Sequence, residues 1–306
     1  MKSTDLILHH YDASPFTQKT LRMLGLKGLD WYSVVTPMIL PKPDLTVLTG
    51  GYRGTPVLQI GSDIYIDNQR IAIELERRFP SPSLFPFGNT GLNLMLEKWS
   101  DAFFRAGLFM VIALQSKDWP VEFLADRKAL FSDLDFDSVA GDLSHARTQL
   151  RAHAGLVNTQ LSDGRTFLQG DKPSLVDIHA FSVPWFARAA MPEVNDLLEN
   201  FSYLPAWEHR VAEIGEGNRQ PIIVKEAHNI ANGSEPCTET KIDPGDAQGL
   251  SAGQAVSVGP DDSQRGEVMG KVVVATADEI AIQHKNSTVG NIVVHFPRIG
   301  YRVTVK

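Results

Sequence analysis

Residues 52–69, which read YRGTPVLQIGSDIYIDNQ, decide how the first part of the chain folds. Two apolar runs, 55–60 and 64–66, flank three turn residues, and this pattern predicts a β-hairpin. Asp67-Asn68 follows the second run and predicts the N-cap of a helix over 69–78, which ends before two prolines. The segment therefore encodes two antiparallel strands and then a helix.

A strand–helix–strand pattern precedes this hairpin. The apolar run 6–11 predicts a buried strand, and Ser14-Pro15 opens a helix, because serine is a good N-cap and proline suits the first helical position. A second strand is predicted over 31–35, parallel to the first because a helix connects them. The proline-rich segment 36–51 predicts a loop, in which any helix is short. Residues 1–84 thus predict a compact α/β domain with a thioredoxin-like order of elements.

The hydrophobic period becomes helical from Gly91 onward, which predicts an all-α domain over residues 85–217. Its predicted helices cover 91–116, 120–131, 138–162, 174–190 and 203–214.

The last part of the chain changes character again. Residues 218–250 contain a tract rich in Asn, Gly, Ser, Pro and Asp and predict a connection. Residues 251–306 carry short β-like runs separated by turn residues, which predict a small all-β module, either a barrel or a sandwich. The predicted strands are 255–258, 268–275, 279–284, 291–296 and 301–305.

Composition excludes several classes of function. The chain has 306 residues and a formal net charge of −7, without a Lys/Arg cluster, so we expect no nucleic-acid partner. No run approaches the roughly 18 apolar residues of a membrane helix, and the first residues show no signal-peptide core, so we expect a cytoplasmic protein and no membrane partner. The single cysteine, Cys237, lies in a polar stretch, where we interpret it as a bystander, and no metal site is expected.

Ser14 is the first candidate for chemistry. It precedes a helix whose free N–H groups and partial positive charge stabilise an anion such as a thiolate. A hydroxyl that donates to the sulfur, added to the helix end, would lower a thiol pKa by about one to two units. Tyr11 and Thr17 are further possible donors. The alternative is that Ser14 only caps the helix, and this segment alone does not separate the two roles.

The hairpin supplies two further candidate sites. A cis peptide bond between Thr55 and Pro56 would leave the backbone of Thr55 open to pair with an extended peptide ligand. Asp67 can hold a ligand ammonium group, while Asn68 and the helix N–H groups can hold the adjacent carboxylate. Taken alone, Asp67-Asn68 is more simply a helix cap.

Together these three motifs resemble the glutathione S-transferase superfamily. Ser14 falls where those proteins carry their catalytic Tyr, Ser or Cys, Thr55-Pro56 resembles their cis-proline motif, and Asp67-Asn68 occupies the place of their γ-glutamyl-binding pair. The run FLQGDKPSLVDI at 167–178 resembles the buried N-capping box of their helical domain. The resemblance covers about residues 5–215 and implies glutathione as co-substrate.

The resemblance also implies roles for other residues. Phe16, Lys42 and Arg53 are expected to help bind glutathione. The candidates for offsetting its carboxylates are Arg53, Lys42 and Lys19, and Arg53 is favoured because it adjoins the proline motif. The co-substrate pocket is expected between the two domains and to take a small apolar electrophile, with Trp99, Phe103 and Phe104 as its candidate residues. A serine in place of cysteine forms no mixed disulfide, which argues against thiol–disulfide exchange.

Two functions follow from this resemblance. The chain is either a homodimeric glutathione transferase, acting by conjugation or by a lyase or dehalogenase-type reaction, or a non-catalytic adaptor that acts through its C-terminal β module. The appended module, and Asn68 in place of the usual serine, motivate the second function.

Overall fold

The computed structural model describes residues 2–236 and 238–306, and its first part is the predicted α/β domain. The elements are β1 (Leu6–His10), α1 (Pro15–Leu26), β2 (Asp30–Val35), α2 (Pro43–Thr49), β3 (Val57–Ile60), β4 (Asp63–Ile66) and α3 (Asn68–Arg78). β1 pairs in parallel with β2 and antiparallel with β3, and β3 pairs antiparallel with β4. The thioredoxin-like order of strands and helices is therefore present.

A bundle of helices follows, as the helical periodicity predicts. Its helices are α4 (Thr90–Gln115), α5 (Val121–Leu130), α6 (Phe136–Gly141), α7 (Leu143–Gln160), α8 (Leu175–Ala190), α9 (Val194–Leu198) and α10 (Leu204–Ala212). The segment 138–162 contributes to two helices rather than one, because Asp142 accepts a hydrogen bond from the His145 N–H (3.2 Å) and caps a new helix.

The capping box at the start of α8 is buried in the core of this bundle. The Asp177 carboxylate accepts hydrogen bonds from the backbone N–H and the hydroxyl of Ser174, at 3.0 and 2.8 Å. It also accepts from the Leu168 N–H at 2.7 Å and from the Trp207 indole at 2.9 Å. One carboxylate thus joins the start of α8 to a loop and to α10.

Residues 218–250, which the sequence analysis interprets as a connection, contain ordered elements. They include β5 (Asn218–Pro221), α11 (Val224–Asn232) and β6 (Lys241–Ile242). β5 pairs in parallel with β2, and Ala227 of α11 packs against Ile7 and Val34. This part of the chain therefore extends and covers the first sheet.

The five predicted C-terminal strands are present, and they continue the sheet of the α/β domain. They are β7 (Ala255–Pro260), β8 (Val268–Ala275), β9 (Glu279–Asn286), β10 (Gly290–Pro297) and β11 (Tyr301–Val305). β10 pairs in parallel with β4, so that Val294 lies opposite Ile64. The sheet runs in the order β11-β7-β8-β9-β10-β4-β3-β1-β2-β5.

The contact between the added strands and the first domain is apolar. Leu48 and Ile64 of the α/β domain share a buried cluster with Val268, Ile282 and Phe296 of the C-terminal strands. The helices within the described ranges include none that is long and apolar enough to cross a membrane.

Candidate active site

A cavity of about 510 Å³ lies where the α/β domain, the helical domain and the C-terminal strands meet. Most of the candidate residues line it together. From the α/β domain these are Tyr11, Ser14, Phe16, Lys42, Arg53, Thr55, Pro56, Asp67 and Asn68, and from the helical domain Phe104.

Ser14 caps a helix and also lines the cavity. Its Oγ accepts a hydrogen bond from the Thr17 N–H (3.2 Å) and so caps α1. A hydroxyl has one donor hydrogen besides its acceptor lone pairs, so the cap leaves the Ser14 hydrogen available to a ligand. Thr17, in contrast, is fully buried and does not line the cavity.

The centre of the cavity is formed by the segment before β3. The Thr55–Pro56 peptide bond is cis, and both residues line the cavity. Arg53 lies just before them, but its guanidinium forms a 2.5 Å ion pair with Asp126 of α5. Asp126 forms a second 2.5 Å ion pair with Arg127, so one carboxylate is shared by two guanidinium groups.

Lys42 is a buried cation near the Ser14 end of the cavity. Its side chain lies over the Tyr11 ring, with Nζ 5.3 Å from the ring centroid. Burial, with the charges of the neighbouring Arg53 and Arg127, lowers its pKa to about 8, while Asp126 acts in the opposite direction. No carboxylate of residues 2–236 or 238–306 lies within ion-pair distance of Nζ. Lys42 therefore offers a charge for a ligand carboxylate.

Asp67 and Asn68 also line the cavity. Asp67 has a φ of 76°, an uncommon conformation for a residue other than glycine, and its carboxylate accepts hydrogen bonds from the Gln69 N–H (3.1 Å) and the Tyr301 hydroxyl (3.2 Å). The Asn68 amide oxygen accepts from the Thr20 hydroxyl (2.7 Å). Since the Asn68 side chain binds inside the protein, the polar group that it offers a ligand is its backbone N–H at the start of α3.

Comparisons with known proteins agree with this arrangement. The N-terminal domain model of glutathione S-transferase matches residues 8–83, and the C-terminal domain model matches residues 128–214. The crystal structure of a GST-like protein from Pseudomonas syringae is 32% identical, with a TM-score of 0.82, and the match covers 99% of this chain and 100% of that one. The chain belongs to the glutathione S-transferase family.

More distant members of the family share the fold over the first two thirds of the chain. A glutathione S-transferase from Rhodospirillum rubrum F11 is 21% identical with a TM-score of 0.51, over 67% of this chain and 87% of that one. One from Methylobacterium radiotolerans JCM 2831, in complex with glutathione sulfonate, is 20% identical with a TM-score of 0.52, over 72% and 98%. A search of curated proteins finds no match.

The structure separates the three aromatic residues that the sequence analysis assigns to the co-substrate pocket of this transferase-family protein. One lines the cavity, and two lie in the helical core. Phe104 lines the cavity and packs edge-on against Phe16, with ring centroids 4.8 Å apart. Phe103 is fully buried in the helical core, and Trp99 packs on Phe103 and His153 there. Trp99 and Phe103 share one face of α4, and that face points into the core, so neither lines the cavity.

Other apolar side chains form the helical wall instead. They come from α4, the segment 119–131 and α8, and include Leu108, Val111, Trp119, Phe123, Phe131 and Phe186.

Three residues that the sequence analysis did not identify also line the cavity: Glu97, Arg265 and Tyr301. Glu97 is buried, and burial, reinforced by the charge of Asp67, raises its pKa to about 8. Its carboxylate accepts a hydrogen bond from Gln69 Nε2 (3.1 Å), directly behind the Asp67 cap. A charged residue among the apolar positions of α4 is the one sequence signal that marks it.

The described residues contain no group of three His, Cys, Asp or Glu side chains that could hold a metal ion. Cys237, which the sequence analysis interprets as a bystander, lies outside the residues that the structure describes.

Proposed function

We propose that this chain is a glutathione transferase in which Ser14 stabilises the thiolate of bound glutathione. The observation that carries the proposal is that the Ser14 hydroxyl, at the N-terminus of α1, and the Asp67 carboxylate line one cavity. We assign the hydroxyl to the thiolate and the carboxylate to the ammonium group of one bound tripeptide. Thr55 and cis-Pro56 line the same cavity.

In this assignment glutathione lies along the edge of the α/β domain. The Asp67 carboxylate holds its ammonium group, the backbone of Thr55 pairs with the cysteinyl residue, and Lys42 holds the glycine carboxylate. Arg53 supports Lys42 less directly, because its guanidinium is bound to Asp126, a carboxylate that it shares with Arg127. The Ser14 hydroxyl donates a hydrogen bond to the sulfur, and the α1 N-terminus adds its partial positive charge.

The second substrate is a small apolar electrophile that binds against Phe104, Leu108 and Phe186. The thiolate sulfur forms a bond to the electrophilic carbon, and the electron pair of the broken bond leaves with the displaced group. Ser14 lowers the barrier by increasing the fraction of glutathione that is thiolate at neutral pH.

We also propose that the protein is cytoplasmic and a homodimer. β10 already occupies the outer edge of β4, so a dimer would not extend the sheet through β4. Light scattering after gel filtration measures the oligomeric state.

The test is calorimetric titration with glutathione, together with the ultraviolet absorbance of the bound thiolate against pH. In Ser14→Ala, we expect the glutathione affinity to stay within about twofold, the bound thiol pKa to rise by about one to two units, and turnover to fall by about tenfold to a hundredfold. Ser14→Gly is the matched control, since glycine replaces serine as an N-cap at a cost of only a few tenths of a kcal/mol. Equal loss of turnover in both variants assigns the effect to the hydroxyl rather than to helix capping.

Unchanged turnover in both variants would transfer the role to Tyr11, and Tyr11→Phe then tests it. No binding of glutathione by the wild-type protein at about 10 mM would refute the proposal and favour the adaptor function. That alternative has less support, because the C-terminal strands contribute Arg265 and Tyr301 to the same cavity.

A further inference from the structure

The C-terminal strands contribute a wall to the cavity, and this wall is anchored to both of the other domains. Two backbone hydrogen bonds hold the loop between β7 and β8. The Arg53 N–H donates to the Arg265 carbonyl (2.8 Å), and the Gln264 N–H donates to the Leu130 carbonyl (3.3 Å). The loop also approaches closely: a Cβ on Gly266 would lie 2.5 Å from the Gly51 carbonyl oxygen. The loop is therefore held in place beside the segment that precedes cis-Pro56.

Arg265 is the cation that this loop brings to the cavity. Its side chain is 20% exposed, and its guanidinium carbon lies 6.0 Å from the centroid of the Phe16 ring. Its one ion pair with a described residue is long, at 3.9 Å to Asp262, whereas Arg105 on the same cavity has a 2.7 Å ion pair. The charge of Arg265 thus lacks a close carboxylate within the described part of the chain.

The surroundings of Arg265 connect it to the Asp67 end of the site. Burial acts to lower its pKa, but nearby Tyr52, Tyr301, Asp262 and Asp67 together raise it. The Tyr301 hydroxyl donates to the Asp67 carboxylate, and the hydroxyls of Tyr52 and Tyr301 lie 3.4 Å apart. The Asp67 carboxylate and Arg265 thus line the same cavity, and the hydroxyls of Tyr52 and Tyr301 lie beside Asp67.

We propose that Arg265 is a glutathione-binding residue that holds the α-carboxylate of the γ-glutamyl group, while Asp67, positioned by Tyr301, holds its ammonium group. This inference rests on the proposed glutathione site. A zwitterionic head group needs one partner of each sign, and a guanidinium binds a carboxylate through two parallel hydrogen bonds. The C-terminal strands thereby determine that the site selects a ligand with a free α-amino acid head.

The competing cation is Lys19. It also lines the cavity, and its Nζ lies 3.8 Å from Asp101 and 3.5 Å from the Ser100 hydroxyl. Because Lys19 lies on α1 and Arg265 in the C-terminal strands, substitutions distinguish them directly.

The test compares glutathione with an analogue that lacks the α-carboxylate, γ-aminobutyryl-cysteinyl-glycine, by calorimetry. We expect the wild-type protein to bind the analogue about tenfold to a hundredfold more weakly than glutathione. Arg265→Gln should bind glutathione more weakly than the wild type and should lose most of this discrimination, while the N–H groups at the start of α3 supply the part that remains. Arg265→Lys should retain part of the discrimination. Arg302→Gln, which removes an exposed cation from β11, should match the wild type.

If Arg265→Gln still discriminates between glutathione and the analogue as strongly as the wild type does, the inference is overturned. If this discrimination is lost in Lys19→Met alone, the role belongs to Lys19. Thermal unfolding of each variant shows whether it is folded. If the wild type binds neither ligand, the proposed glutathione site and the role of Arg265 fail together. If the wild type binds glutathione but Arg265→Gln binds it equally well, only the role of Arg265 fails.

Discussion

Lys42 provides a test in which stability and ligand affinity change in opposite directions. Burial, with the charges of Arg53 and Arg127, lowers its pKa from 10.5 to about 8. Because each unit of pKa shift corresponds to about 1.4 kcal/mol, the protonated lysine costs the folded protein about 3 kcal/mol at neutral pH. Lys42→Met removes this cost and keeps most of the side-chain volume, and it loses only a cation–π contact with Tyr11, worth about 0.5–1 kcal/mol.

We therefore expect Lys42→Met to raise the free energy of unfolding by about 2 kcal/mol, measured by chemical denaturation. The same substitution removes the proposed partner of the glycine carboxylate, so the dissociation constant for glutathione should increase about tenfold to a hundredfold.

The pH dependence of binding follows from the same shift. A ligand carboxylate stabilises the ammonium form, so binding above about pH 8 takes up a proton, and the dissociation constant should rise up to tenfold per pH unit there, after a flat region below it. S-methylglutathione is the ligand for this measurement, because it has no thiol to ionise. Calorimetry in two buffers with different ionisation enthalpies measures the proton uptake directly.

Lys42→Arg is the matched control, because arginine stays protonated throughout this range and should retain affinity without the pH dependence. A flat wild-type profile between about pH 7 and pH 9 would refute the reasoning, as would the same slope in Lys42→Met. A loss of stability in Lys42→Met would refute the argument from burial.

Three further predictions concern the framework. Asp177→Asn should lower the free energy of unfolding by about 3–5 kcal/mol in chemical denaturation, because four buried donors lose their charged acceptor; a change below about 1 kcal/mol would contradict this. The pKa of His295 is raised: burial lowers it, but hydrogen bonds to Asp63 and Glu279 outweigh burial. Protonated His295 therefore contributes fully to stability below about pH 6.5, and this contribution is lost as the pH rises through the raised pKa. The difference in free energy of unfolding between the wild type and His295→Gln should shrink over that interval. A difference that is constant with pH would exclude this role. Deletion of 240–306 exposes the β4 edge and the seven buried residues that remain of a 21-residue apolar cluster, so we expect aggregation in gel filtration. A stable soluble fragment would show that the first two domains are independent.

Elements that depend on local chemistry could be predicted from the sequence. The start of α1 at Pro15 follows from Ser14 and the proline, and the five C-terminal strands lie within two residues of the predicted ends, because turn residues separate apolar runs. The break between α6 and α7 was missed because Asp142 was counted within one long periodic segment, although its side chain is a helix cap.

Positions that depend on which helix face meets which partner could not be predicted. Trp99 and Phe103 share a face by their spacing, and the sequence does not specify whether that face meets the core or the cavity. The structure places their face in the core and leaves Phe104, the next residue, on the cavity. A rotation of about 100° around the helix axis, one residue's step, thus decides between packing and substrate contact.

The pairing of β10 with β4 could not be predicted from the sequence, for a different reason. Backbone hydrogen bonds join the two strands, and these are available to any strand, so no residue type marks the partner. Yet this pairing brings Tyr301 to Asp67, which lies 234 positions away along the chain. The predicted residues Ser14, Thr55 and Asp67 lie within the first 84 positions, where local motifs fix their relative placement. Arg265 and Tyr301 reach the cavity only because the sheet continues past β4. The residues that we propose for the head group of the ligand therefore depend on long-range strand pairing, while the residue that we propose for the thiolate depends on a local helix cap.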